Sequence, residues 1–402
     1  MQKKIAILIG SLSGGGAERV VSNLSLHLNE KIERSVIIYS CEDIIYPYKG
    51  ELIRLKPCTR GEVKGWFRKL YFLYKYVNAV RNIKQKYKIQ VCVSFLSVPN
   101  LINIFSGCGE KRVISVRGYN SKKIKGFYGK AYALLIRLFY NSADLIVAVS
   151  QGVKIDLIKN YNIDGKKIKV IYNPYDVEKI QKLMNENLHD RYKPIFENQV
   201  IISVGRLTHI KGQQNLIRAF SKVKIQNKKA KLVLLGEGEL EDELRAITKK
   251  LNLGDDIYFL GFQGNPFQFI YNSSIFVLPS LTEGFPNALV EAMACGIPVI
   301  STDCKAGPRE ILAPDSDCDQ EIKTVEYASY GILVPVCDGN GHDAVNPLTP
   351  QENVLADSII ELLENQDLKE KYSLMAKERA NDFKIDKIIP HWEDVILQNW
   401  SH

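Results

Sequence analysis

Two short apolar runs, Ile275-Phe276-Val277-Leu278 and Pro298-Val299-Ile300-Ser301, stand on either side of residues 279–297. Both read as strands buried on two faces, as in a parallel sheet. The stretch between them is punctuated as a short helix. Pro286 suits the first helical position, where its missing N–H would have had no partner. Gly296 suits the position just past the last turn, and Pro298 blocks any continuation. The unit is therefore strand, loop, helix, strand. In open parallel sheets, ligands sit at the carboxyl ends of strands, where the helix N-termini point. The N–H groups near Phe285, Asn287 and Ala288 are expected to form an anion-receptive end. Glu283 lies in the loop before the helix, and Glu291 lies roughly 7 Å further along its axis. Carboxylates accept hydrogen bonds from paired hydroxyls, so a sugar is a natural ligand. On spacing alone, a surface helix carrying two solvated glutamates reads equally well.

The same alternation runs through the chain. The first half opens on a strand at Ile5–Ile9, then Gly14-Gly15-Gly16, then a helix whose Val20, Val21, Leu24 and Leu28 follow a helical period. Further strands are expected at 35–39, 91–95, 113–116 and 145–149, with a last one in 169–174 ending at a proline turn. The second half starts again with a strand at Val200–Val204. Others are expected at 231–235, 257–260, 275–278, 298–301 and 331–334. Repeated β-α-β predicts two doubly wound parallel-sheet domains of Rossmann-like type. We place the first at 1–176, an interdomain segment at 177–198 and the second domain at 199–383. A tail at 384–402 is expected to pack back toward the first domain.

Charge separates the two halves. Residues 1–200 carry 34 Lys and Arg against 16 Asp and Glu, whereas residues 201–402 carry 20 against 29. The halves therefore face different partners. Eight cysteines are scattered with no C-x-x-C pair, and no apolar stretch reaches the length that spans a bilayer. The opening residues superficially mimic an export signal, but the glycine loop after them makes a first strand the better reading. Together these features predict reduced thiols and a cytoplasmic protein.

Three loops carry the chemistry. Gly14, Gly15 and Gly16 sit between strand and helix, which lets the backbone approach a ligand and places an anion near a helix N-terminus. This is not the full G-x-G-x-x-G fingerprint, and no second-strand acid supports a dinucleotide site. Arg206 and Lys211 follow the first strand of the second domain. Two cations there suit a diphosphate, Arg by its planar fork and Lys as a point charge. Gly236-Glu237-Gly238 ends another strand on the same rim.

Taken in order, Gly14-Gly15-Gly16-Ala17-Glu18, Gly205-Arg206-Leu207 with Lys211-Gly212, Leu235-Gly236-Glu237-Gly238, Glu283-Gly284-Phe285-Pro286 and the E-x7-E spacing ending at Glu291 resemble the retaining GT-B glycosyltransferases of family 4. The resemblance covers nearly the whole chain. It implies a nucleotide-sugar donor, UDP-linked by expectation, held mainly by the second domain. By that resemblance Arg206 and Lys211 bind the diphosphate, Glu291 the ribose hydroxyls, and Glu283 faces the transferred hexose or N-acetylhexosamine. The amides of 285–288 cap the phosphate and sugar, and Gly15 with its neighbours closes on the donor. It implies no cofactor and no metal. Many relatives place a histidine where this chain has Arg117, and none of its six histidines offers a substitute. Arg117 either stabilises charge or holds its loop. The family's front-face chemistry needs no general base, since the departing phosphate helps deprotonate the acceptor hydroxyl. Ser301–Leu312 looks like relatives that assemble lipid-linked or surface polysaccharides. Asp315, Asp317, Asp319 and Glu326 have part of a calcium-loop spacing but Gln320 replaces its turn glycine, so a solvated loop is expected.

The basic excess concentrates in residues 51–150, with 19 Lys and Arg against 4 Asp and Glu. Lys64, Trp66, Arg68 and Lys69 open one basic aromatic segment, and Lys122, Lys123 and Lys125 form another. Such segments fit an anionic membrane surface and the phosphates of a lipid-linked acceptor. The stripe Trp66, Leu70, Leu73, Val77 and Val80 is expected to face the core. A nucleic-acid binder could use the same surface but would not need Arg206, Lys211 and two glutamates in the other half, so no nucleic-acid partner is expected. A non-catalytic nucleotide-sugar-binding membrane protein, or a sugar-nucleotide epimerase, is the alternative.

Overall fold

A computed structural model describes residues 2–40, 42–55, 66–119, 121, 126–338 and 343–398, without the side chains of 66–70 and 126–128. The chain forms two compact units, 1–175 with 383–402, and 176–382.

The first unit is built on a seven-stranded sheet: β1 (Lys3–Leu8), β2 (Ile32–Ile38), β3 (Glu51–Arg54), β4 (Val91–Phe95), β5 (Lys111–Val116), β6 (Leu145–Ala148) and β7 (Ile168–Val170). Its order is β3-β2-β1-β4-β5-β6-β7, and all pairs are parallel. Strand periodicity explains why both faces are covered. Ile5 and Ile7 of β1 join Val20, Val21 and Leu24 of helix Gly16–His27 in one buried cluster. Ala6 and Leu8 point the other way, into a cluster with Val80 of helix Trp66–Lys86. Val77 and Val80 of that helix are buried, as their spacing predicts. Trp66 and Leu70 of the same stripe lie outside the described side chains.

Helix Ile385–Leu397 belongs to this unit. Trp392 is fully buried against Phe95 at 5.5 Å between ring centres. Lys111 Nζ donates to the Val395 carbonyl at 2.6 Å. On the opposite side of the sheet, Lys84 and Glu110 form an ion pair of 2.6 Å whose side chains are wholly buried. Burial pushes the Glu110 carboxyl up, but the charge and hydrogen bond of Lys84 and the backbone N–H of Cys108 outweigh it and hold it below its usual range. A depressed folded value contributes stability that is present above the ordinary pKa of about 4.3 and is lost as pH falls through the folded value. Denaturation midpoints followed against pH should therefore fall more steeply on the acid side for the wild type than for Glu110→Gln. Parallel acid limbs would contradict this.

The second unit repeats the plan with β8 (Gln199–Val204), β9 (Ala230–Leu235), β10 (Ile257–Phe259), β11 (Ile275–Leu278), β12 (Val299–Thr302), β13 (Glu326–Tyr327) and β14 (Ile332–Val334), in the order β10-β9-β8-β11-β12-β14-β13. Residues 177–198 contain helix Val177–Met184, which packs within this unit against helices Phe267–Tyr271 and Asn287–Cys295.

Four expectations need correction. β3 carries no apolar run and was not expected; it is an edge strand whose residues are only partly covered. β13 pairs antiparallel with β14, inside what reads as a plain loop. The last strand of the first unit ends at Val170, short of the proline turn. Pro286 precedes the helix with extended ψ of 104°, so Asn287 is the first helical residue.

Candidate functional site

In the second sheet the chain reverses direction between β8 and β11, and the loops leaving those two strands lie at the switch point where such sheets bind ligands. The loop after β8 runs through Arg206 to a single 3-10 turn, His209–Lys211. The loop after β11 runs through Ser280 and Glu283 to helix Asn287–Cys295. Three contacts join them. Lys211 Nζ meets Glu283 Oε1 at 2.6 Å. The Leu281 N–H donates to the Ile210 carbonyl at 2.8 Å. Gly212 has φ of +66°, and a Cβ there would lie 2.1 Å from the Pro279 carbonyl oxygen, so only glycine allows this approach.

Ser280 Oγ also donates to Glu283 Oε1 at 2.7 Å, and Thr302 Oγ1 of β12 donates to the Ser280 carbonyl. The Glu283 carboxylate is therefore held by a cation and a hydroxyl, each fixed to a different strand end. Sequence reading singled out Lys211 and Glu283 but missed Ser280 and Thr302. The S-x-x-E spacing from Ser280 to Glu283 is the local signal for the first of them. Arg206 is exposed in the same loop as Lys211, and Gln213 Nε2 donates to its carbonyl at 3.1 Å. Gly236 follows β9, and its N–H donates to the Gly261 carbonyl at 2.8 Å.

Helix Asn287–Cys295 carries Glu291, only 4% exposed. Burial, with the Glu291 charge behind it, pushes the Cys295 thiol up. Cys304 is buried too, and burial followed by the Glu283 charge drives its thiol well up. Gly284 and Phe285 are buried, while Asn287 and Ala288 are half-buried at the helix start. The next loop closes over this turn. At Gly307, φ is +94° and a Cβ would lie 2.5 Å from Pro286 Cδ. Arg309 anchors that loop, with Nη2 to Asp303 Oδ2 at 2.7 Å and to Glu326 Oε2 at 2.8 Å. Glu326, the twelfth position of the calcium-like spacing, is thus engaged by Arg309. Lys305 Nζ donates to the Asp319 carbonyl at 3.0 Å.

In the first unit, Gly15 and Gly16 open helix Gly16–His27. The anion at this helix start is the chain's own Glu18, whose Oε2 would lie 2.2 Å from a Cβ built on Gly15. Ser11 Oγ donates to Glu18 at 3.4 Å, Ser13 Oγ bonds Glu42, and Tyr46 OH donates to the Gly14 carbonyl at 3.3 Å. The rim of the glycine loop carries Glu18 and Glu42 together with Arg19, whose Nη2 donates to Tyr46 OH at 3.2 Å. Arg117 follows β5, with its guanidinium 5.7 Å from the centre of the Phe95 ring and bonded to Asn173 Oδ1. Burial lowers its pKa to about 10.

Lys64, Lys122, Lys123 and Lys125 lie outside the described residues, as do the side chains of Trp66, Arg68 and Lys69. The neighbouring described surface exposes Tyr71 and Tyr74 on helix Trp66–Lys86, and Leu134 and Leu138 on helix Gly126–Phe139. Among the described residues no helix is long and apolar enough to cross a membrane.

Comparison with known proteins gives a consistent picture. Residues 185–379 match the family model "Glycosyl transferases group 1", and residues 14–179 match "Glycosyltransferase Family 4". An uncharacterized glycosyltransferase of Methanocaldococcus jannaschii is 39% identical over 358 residues, covering 87% of this chain and 88% of that protein. The N-acetylgalactosamine-N,N'-diacetylbacillosaminyl-diphospho-undecaprenol 4-alpha-N-acetylgalactosaminyltransferase of Campylobacter jejuni is 33% identical, covering 96% of this chain and 97% of that protein. Among solved structures, Anabaena HepE in complex with UDP and glucose shares the fold with a TM-score of 0.73 at 19% identity, covering 98% of this chain and 99% of that one.

Proposed function

Because the chain belongs to the group 1 and family 4 glycosyltransferases, with their GT-B fold, we propose that it moves a hexose or N-acetylhexosamine from a UDP-sugar to a lipid-linked or surface-polysaccharide acceptor. The observation that carries the reading is the Lys211–Glu283 pair at the switch point, with Arg206 exposed in the same loop as Lys211 and Glu291 on the following helix. In this reading Arg206 and Lys211 take the diphosphate. Glu291 accepts from the ribose hydroxyls, and Glu283 turns toward the transferred sugar. The N–H groups of Phe285, Asn287 and Ala288 face the phosphate. The bond from the anomeric carbon to the donor phosphate breaks as the acceptor oxygen bonds on the same face. The acceptor proton passes to the departing phosphate oxygen, which gives retention without a protein base or a metal. The printed name of the Campylobacter relative, with its N-acetylgalactosamine and diphospho-undecaprenol, supports this donor and acceptor class.

A panel of UDP- and GDP-sugars tests the donor. A ligand at about 100 times its Kd should stabilise the protein by about 2.7 kcal/mol, read as a rise in Tm. A UDP-sugar should give the largest rise, and the anomeric configuration of the product should match the donor. Failure of every nucleotide-sugar to shift Tm would sink the reading.

We also propose that the first unit works at an anionic membrane at the cytoplasmic face. Exposed Leu134 and Leu138, beside Lys130 and Arg137, support it. Burying a leucine in an apolar phase is worth about 1.5–3 kcal/mol, so the double change Leu134→Ser and Leu138→Ser should weaken binding to phosphatidylglycerol vesicles about tenfold or more. Unchanged partitioning at low salt would remove this proposal.

A further inference from the structure

We infer that a cavity beside Arg117, wholly within the first unit, is an oxyanion subsite that takes a phosphate group. The cavity measures about 80 Å³ and is lined by Leu96, Ser97, Asn100, Ser115, Arg117 and Tyr132, among others. One water needs only about 10–15 Å³ of such space, so the cavity has room for a polyatomic group.

The charge in it is unusual. Among the described residues the partners of the Arg117 guanidinium are neutral: Asn173 Oδ1, Ser115 Oγ at 3.5 Å and the face of Phe95. The three more deeply buried guanidinium forks among the described residues are satisfied differently. Arg34 donates to the carbonyls of Ile32, Ser25, Leu28 and Asn29, Arg218 meets Glu352, and Arg309 meets both Asp303 and Glu326, whereas Arg117 has one close acceptor, Asn173 Oδ1, and one at 3.5 Å. Arg117 is half-buried; a cation partly withdrawn from water without a counter-charge is costly, and a planar guanidinium fork is matched to phosphate oxygens. Sugar hydroxyls could fill the space and accept its hydrogen bonds, but they would leave the charge unbalanced.

Two further observations point to the same place. Leu96, on the cavity wall, has φ of +75°, a conformation that non-glycine residues hold only when the surroundings impose it. That turn starts helix Ser97–Phe105 at the cavity, where its first amides favour negative charge. Tyr132 OH is bonded to Ser97 Oγ, which adds hydroxyls to the lining. Asn100 is a positioning residue. Its Nδ2 donates to the Ser115 carbonyl at 2.9 Å while its Oδ1 accepts from Ser94 at 2.8 Å, so the wall is fixed before any ligand arrives.

The proposed function, on which only the source of the phosphate rests, offers two: a lipid-linked diphosphate and a nucleotide diphosphate. Calorimetric titration of the full chain separates them. Geranyl diphosphate is titrated with UDP saturating, and UDP is titrated alone, for wild type, Arg117→Gln, Arg117→Lys and Tyr132→Phe. Removing one partner of a buried, hydrogen-bonded charge pair should cost Arg117→Gln about thirtyfold in geranyl diphosphate affinity. Arg117→Lys should lose less, and Tyr132→Phe should weaken binding without altering UDP. The Tm of ligand-free Arg117→Gln should be no lower than that of wild type, since an unbalanced charge has gone. A loss of UDP affinity instead keeps the subsite and assigns its phosphate to the nucleotide. Wild-type affinity of Arg117→Gln for both probes, or a lowered Tm as its only effect, overturns the inference and leaves Arg117 a loop tether. Lys211→Ala serves as the control, because a failure of UDP binding there, with geranyl diphosphate binding intact, belongs to the donor reading alone.

Discussion

Lys211→Ala should weaken UDP binding by about two orders of magnitude while leaving the second unit folded. Two effects act together. The diphosphate loses a cation, and Glu283 loses the partner that neutralises it at 2.6 Å. With Ser280 the one partner left on it among the described residues and a side chain 10% exposed, Glu283 then repels the incoming phosphates. Truncating one member of a largely desolvated charge pair costs about 2–5 kcal/mol, a factor of about 30 or more. The carboxylate's share can be separated. Glu283→Gln in the Lys211→Ala background removes the repulsion and should recover part of the affinity, which a double-mutant cycle reads as coupling. Lys211→Arg should rescue incompletely, because a planar fork does not substitute for a point charge in this small turn. Glu291→Ala should reduce affinity without the repulsion, and therefore by less. Titration calorimetry gives the affinities and circular dichroism confirms the fold. Wild-type donor affinity in both Lys211→Ala and Glu291→Ala would show that the pocket is elsewhere.

The parts of this site that could be read from the sequence are the parts encoded locally. β11 and β12 are short apolar runs, and Gly296 in the left-handed conformation ends the helix between them where the sequence places it. The glycine loops announce themselves because a backbone approach needs them. The partnership of Lys211 with Glu283 spans 72 residues, and no local pattern encodes it. It exists because β8 and β11 are neighbours at the reversal of the sheet. Thr302, 22 residues from the Ser280 carbonyl that it bonds, is hidden for the same reason, whereas Ser280 stands only three residues from Glu283. Arg309 stands in the Ser301–Leu312 segment, where no local pattern encodes its bond to Glu326 seventeen residues on. β3 escaped notice because an edge strand needs little apolar sequence, and here its ends are Glu51 and Arg54. Arg117 is the opposite case. Its position was clear from the sequence, but the neutral surroundings that set it apart from Arg218 and Arg309 come from strands β4 and β5 and from Asn173.

Glu352→Ala should destabilise the second unit by about 3–5 kcal/mol, the cost of leaving a buried charge without its partner. Arg218 and Glu352 are 134 residues apart, and their side chains are 1% and 0% exposed. The pair is bidentate, with Nε to Oε1 at 2.8 Å and Nη2 to Oε2 at 3.2 Å. Arg218 also donates to the Ala344 and Pro347 carbonyls at 3.2 and 3.0 Å, so it fixes the turn that leads into helix Pro350–Glu364. Glu352 has a second task at that helix start. Its carboxylate accepts from the Thr349 N–H at 2.8 Å while Thr349 Oγ1 accepts from the Glu352 N–H at 3.2 Å, a reciprocal cap. Losing such a cap costs about another 1 kcal/mol. Domains carry only about 5–15 kcal/mol of net stability, so the loss is a large fraction of the whole. Glu352→Gln keeps the capping acceptor but not the charge and should fall between. Replacing both residues by Met should recover much of the loss, because well-packed apolar pairs often equal buried ion pairs. Urea unfolding followed with and without a UDP-sugar isolates the second unit, since only its folded form gains from the proposed donor. A midpoint for Glu352→Ala equal to wild type would show that the pair contributes nothing. A double Met variant no more stable than the single alanine variant would show that packing, not charge balance, sets the cost.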